Sequence, residues 1–230
     1  MEIESTSKHG RSWRDSKLLI FAEIIFVGAI YVARQHHVLK FHATPYLFIV
    51  GWISMNLRRI KWKDVGFTLY RSWATTLMLG VASGVGLELF DLFAKQPLLT
   101  TLLGRPPDLS GFPAVRGNLK FALLIIAIIW IVAAFGEELV YRGYMMNRVA
   151  DLGRGTRTAW ILSLFLISAI FGASHYQQGL TGIIEEGSDG LILGVMYLAC
   201  RRNLAIPIVT HGVCDTIDIA LIFLGKYPGV

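Results

Sequence analysis

Residues 121–138 read FALLIIAIIWIVAAFGEE, a run of sixteen uncharged residues that ends in two adjacent glutamates, Glu137 and Glu138. A stretch this apolar reads as part of a membrane span, where an ionised side chain is costly and is kept only for a use. It is not isolated. Uncharged runs recur at Ile24 to Ala33, Ala43 to Leu57, Ser72 to Leu87, Thr158 to Ser174, Leu191 to Cys200 and Asn203 to Cys214. Hydrophobic residues make up 54% of the 230, or about 60% once Gly is counted and Tyr is not, against about 45 to 50% in soluble domains. Only helices or closed barrels satisfy the backbone in hydrocarbon, and these runs lack the alternation of barrel strands. The reading is an all-α, polytopic transmembrane helix bundle of about seven spans, with ionisable residues such as Glu23, Glu88, Glu137 and Asp215 extending or interrupting them.

The formal charge of +6 raises a nucleic-acid partner, but the basic residues gather at the ends of the apolar runs. With seven spans and the N-terminus inside, 15 of the 22 Lys and Arg fall in inside segments. This follows the positive-inside rule and leaves no basic patch for nucleic acid. The expectation is an integral protein of the plasma membrane with a cytoplasmic N-terminus. Cysteine labelling of the loop expected at Lys95 to Asn118 should succeed from the outside, and labelling from the cytoplasmic side alone would reverse the topology. Tyr31-Val32-Ala33 before Arg34 is a poor small-residue cleavage site, so the first apolar stretch reads as a retained span. Cys200 and Cys214 offer neither a disulfide framework nor a metal pair and read as small apolar packers.

Residues 1–17 form a polar cytoplasmic segment, and 18–225 read as a single membrane-embedded domain. Arg58 to Arg71 mixes aromatic and basic residues like an interfacial segment. Lys95 to Asn118, with Pro97, Pro106, Pro107 and Pro113, reads as the longest loop. In the first half Glu88 and Asp91, spaced i, i+3, read as marking a span end.

The second half carries three polar clusters. In Glu137-Glu138-x-x-x-Arg142, Glu138 and Arg142 have the i, i+4 order that favours an ion pair, which leaves Glu137 without that partner. An unpaired carboxylate in a dry site is the better general base. His175 closes the run Thr158 to Ser174. His211 and Asp215 share a helix face at i, i+4, where a carboxylate fixes an imidazole tautomer. Singly, these are a helix end meeting headgroups and two hydrogen-bonded core histidines. Helix rise sets Glu137 about 20 Å from Ala150, His175 about 25 Å from Thr158 and His211 about 12 Å from Asn203, around mid-bilayer. No Ser or Cys shows a clear base partner, which disfavours a covalent nucleophile.

These clusters resemble the CPBP family of intramembrane endopeptidases, which includes type II CAAX prenyl proteases and bacteriocin-processing or immunity proteins. The family pattern of Glu-Glu-x-x-x-Arg, Phe-x-x-x-His and His-x-x-x-Asn/Asp is matched by Glu137-Glu138-x-x-x-Arg142, Phe171-x-x-x-His175 and His211-x-x-x-Asp215, within a protease-like core at about 118–225. The resemblance implies that Glu137 and His175 activate a water, that His211 and Asp215 stabilise the oxyanion, and that Glu138 and Arg142 support the site. It implies a membrane-associated peptide or protein substrate, prenylated CAAX-type tails being the name-giving case. Asp215 departs from an amide, because an ionised carboxylate cannot donate to an oxyanion. A metal-free mechanism with no cofactor is favoured over a zinc site built from Glu137, His175 and His211. A transporter's proton relay and a non-proteolytic immunity protein are the readings from other classes.

Overall fold

The computed structural model describes residues 16–41, 43–109, 111 and 114–228, so most of the polar N-terminal segment lies outside the described residues. The fold is 79% helical, with no strand among the described residues. Among the described residues seven long helices run α1 (Lys17–Gln35), α2 (Ala43–Arg58), α3 (Trp73–Leu103), α4 (Leu119–Leu152), α5 (Arg157–Ser174), α6 (Gly179–Ala199) and α7 (Ala205–Leu224). Five of them are long and apolar enough to cross a membrane. The other two are α2, with 16 residues, and α6, whose 21 residues include Glu185, Glu186 and Asp189. Large apolar side chains of α1, α3 and α5, among them Phe21, Trp73, Phe93 and Leu162, lie exposed on the outer surface. Such a surface is stable only against lipid, and the chain is an integral membrane protein.

Local signals set the helix starts. Ser72 Oγ accepts from the Thr75 amide at 3.1 Å, Asn118 Oδ1 from Phe121 at 3.2 Å and Thr156 Oγ1 from Ala159 at 3.3 Å, each satisfying an amide that the first helical turn leaves open. The expected loop at Lys95 to Asn118 is shorter than its prolines suggested, because α3 continues to Leu103. Five residues, Asp91–Lys95, wind as a wider π-type turn just before Pro97. That turn accommodates a residue with no amide hydrogen, which would otherwise break the helix. A second π-type stretch, Ile129–Met146, carries the Glu-Glu-x-x-x-Arg cluster.

Close backbone contacts lock the bundle around the polar interior. A Cβ on Gly84 of α3 would stand 2.7 Å from Val213 Cβ and 2.8 Å from the Thr210 carbonyl oxygen of α7. On Gly172 of α5 it would stand 2.3 Å from the Ile183 carbonyl oxygen and 2.7 Å from Gly187 Cα of α6. Backbone atoms cannot rotate away, so Gly172→Ala should separate α5 from α6 at a loss of about 1 to 3 kcal/mol. A melting temperature in detergent several degrees below wild type is the expected reading, and an unchanged one would show that the helices have slack there.

Candidate active site

Glu138 and Arg142, one turn apart on α4, pair through Oε1 and a guanidinium nitrogen at 2.5 Å, and both are almost wholly buried. Arg142 also donates to the Gly190 carbonyl of α6 at 2.8 Å and lies over the Phe171 ring of α5 at 4.8 Å. One guanidinium thus ties three helices together. Arg142 lies deep in the bundle.

The same Glu138 Oε1 takes a second contact, His211 Nδ1 of α7, at 3.1 Å. On its other side His211 Nε2 faces Asp215 Oδ2 at 3.5 Å. The tautomer-fixing role expected of Asp215 therefore passes to Glu138, the closer carboxylate. Residues 138 and 211 share no helix, so spacing along one helix could not have shown it. The ring stands between two acceptors, and only a ring protonated on both nitrogens donates to both.

His175 follows the last turn of α5. Its Nδ1 donates to the Phe171 carbonyl at 2.9 Å, which turns Nε2 toward Glu186 Oε2 of α6 at 4.0 Å. Ser174 Oγ lies 3.3 Å from the same Nδ1, a Ser–His contact the sequence reading did not foresee. That hydroxyl donates to the Phe171 carbonyl at 2.6 Å and accepts from Tyr141 at 3.1 Å. The ring nitrogen beside it is a donor, so it does not draw the serine proton as a nucleophile's base must.

Glu137 is not left alone by the ion pair beside it. Thr44 Oγ1 of α2 donates to its Oε1 at 3.0 Å. This brings the first half of the chain into the site.

Glu137, His175, His211 and Asp215 all line one cavity of about 600 Å³, which also reaches the 104–118 connection. Glu138 and Arg142 stand behind its wall. One side is apolar, with Ile125, Ile128, Ile129 and Val132 of α4. The cavity is also lined by carboxylates whose place there the sequence did not show, among them Glu88, Asp91, Glu186, Asp189 and Asp218. Glu88 and Asp91 carried a visible signal in their i, i+3 spacing, but they line the cavity rather than merely ending a span. Among the described residues, no group of three or more His, Cys, Asp and Glu side chains is placed to hold a metal ion. Glu137, His175 and His211 do not form such a group among the described residues.

Residues 119–217 match the family model of type II CAAX prenyl endopeptidases, Rce1-like. This region is similar to the Rce1-like family, and the match covers less than half of the chain. The Rce1-like region holds all three polar clusters, and the family supports CAAX-type intramembrane peptidase activity in general terms. The chain is also similar to an uncharacterized 24.3 kDa protein of Escherichia coli, 28% identical over a 201-residue alignment, with 84% of this chain and 88% of that protein covered. No solved structure matches it.

Proposed function

We propose that the protein is an intramembrane endopeptidase that hydrolyses a peptide bond of a membrane-associated substrate with a water activated by Glu137 and His175. The observation that supports this reading is the meeting of Glu137, His175, His211 and Asp215 on one cavity among apolar helices. In this mechanism Glu137 takes a proton from the water as its oxygen bonds to the scissile carbonyl carbon. The carbonyl π electrons move to oxygen, and a ring hydrogen of His211 stabilises that charge. Collapse expels the amine, which leaves with the proton that Glu137 accepted. Asp215, 3.5 Å from Nε2, donates to the oxyanion when protonated. Glu138 acts behind the ring, holding His211 in place.

The apolar α4 wall suits a substrate drawn from the bilayer, a prenylated CAAX-type tail among them. Cells producing the wild type should release membrane-derived peptides that cells producing Glu137→Gln do not. Hydrolysis of those peptides by purified protein should persist after exhaustive chelation, because the proposed proton transfers need only side chains. Activity lost on chelation and restored by zinc would replace this mechanism with a metal-dependent one. Identical peptide profiles in the two cell types would favour a non-proteolytic role.

A further inference from the structure

A second cleft adjoins the catalytic cavity and shares Ser174 and Gln177 with it. The last turn of α1, the first residue of α2 and the end of α5 enclose about 260 Å³ there. Arg34 is the one charged side chain among the described residues that line it. Its Nε is buried without a hydrogen-bond partner, and the guanidinium forms no ion pair among the described residues. A guanidinium cannot shed its proton, so one held unmatched against apolar walls is costly until an anion reaches it. The cleft itself supplies no anion. Tyr31 commits its hydroxyl to Tyr141 at 2.7 Å, and the connection after α1 adds His36, His37 and Lys40 but no acid.

Apolar surface leads up to this arginine. Leu162, Leu166, Ala169 and Ala173 fall at i, i+4, i+7 and i+11 on α5, all four are exposed, and Ala173 lines the cleft. At 1.5 Å per residue the stripe is about 16 Å long, roughly half the 30 Å hydrocarbon thickness and so the depth of one leaflet. Arg34 stands at its polar end. We infer that the cleft binds an anionic phospholipid, with the phosphate on Arg34 and an acyl chain along the α5 stripe. A phosphate offers several acceptor oxygens to the fork of a guanidinium, and Gln35 and Gln177 bring neutral amide donors to the same cleft. The ammonium of a zwitterionic headgroup would find no carboxylate here, whereas the basic connection after α1 favours a lipid of net negative charge. The inference stands independently of the peptidase reading.

The test places full-length protein in phosphatidylcholine nanodiscs with a trace of phosphatidylglycerol or phosphatidylcholine that carries a diazirine in one acyl chain. Photolabelled residues are mapped by mass spectrometry. Labelling of residues 162–173 is measured against the outer face of α3 around Leu77 and Met78, which any surrounding lipid touches. The phosphatidylglycerol probe should label α5 about tenfold more than the phosphatidylcholine probe, the scale of a charge-assisted hydrogen bond in a partly buried site. Arg34→Gln should remove that excess while melting temperature and α3 labelling stay unchanged. Lys40→Gln takes away a nearby charge outside the cleft and should keep the excess. No phosphatidylglycerol excess on α5, an excess that survives Arg34→Gln, or an equal loss in Lys40→Gln overturns the site. Loss of the excess to millimolar inorganic phosphate at constant ionic strength also overturns it, because the guanidinium would then serve a soluble anion.

Discussion

Glu137→Gln should lower peptide hydrolysis by about 100-fold or more, the effect of losing a general base, while the protein keeps its melting temperature. The amide preserves the size of the side chain and the oxygen that accepts from Thr44 at 3.0 Å, so the packing between α2 and α4 has no reason to change. What it cannot do is take a proton from water. His175→Ala should cause a loss of similar size, because the ring turns its Nε2 into the same cavity while Nδ1 is held by the Phe171 carbonyl. Ser174→Ala separates this mechanism from a covalent one. With its proton committed to the Phe171 carbonyl, Ser174 should be dispensable for chemistry. Normal turnover in a well-folded Glu137→Gln protein, or abolished turnover in a well-folded Ser174→Ala protein, would sink the water mechanism.

Glu138→Gln and Arg142→Ala should damage the fold itself. Each leaves an uncompensated charge in a site with almost no exposure, a loss of about 3 to 5 kcal/mol. The two should differ in how the damage spreads. Arg142→Ala also strips the Gly190 carbonyl of its donor and the Phe171 ring of its cation, so it loosens α4 from both α5 and α6. Glu138→Gln disturbs His211 directly, because one oxygen serves the guanidinium and the imidazole together. Melting temperature and peptide hydrolysis, measured on each variant, should therefore fall together. A Glu138→Gln protein as stable as wild type would mean that the buried pair is not structural.

The parts of this molecule legible in its sequence are those where lipid or a single helix imposes the rule. Hydrocarbon demands uninterrupted apolar helices, so the runs around Ile24, Phe121 and Thr158 mark α1, α4 and α5. The Glu138–Arg142 pair was legible because both partners lie on one helix at i, i+4. Where partners come from different helices, spacing carries no signal. Thr44 meets Glu137 across 93 positions and Glu138 meets His211 across 73, and neither contact has a sequence signature. The start of α6 was hidden for another reason. Glu185, Glu186 and Asp189 break the apolar run, so the span seemed to begin at Leu191, whereas the helix starts at Gly179 and turns those acids toward the cavity. Pro97 misled in the opposite direction, since a proline that ends most helices is here absorbed by the wide turn preceding it.

The glycine contacts also bear on how a lipid-borne chain reaches a chamber enclosed by helices. Gly84 leaves no slack between α3 and α7, and Gly172 leaves none between α5 and α6, so each pair behaves as one plank of a hull. Parting either plank would mean pulling apart helices in near-backbone contact. The remaining wall is the α4 stretch around Ile125, Ile128 and Val132, where side chains rather than backbones face the chamber and rotamers can yield without a helix being torn from its neighbour.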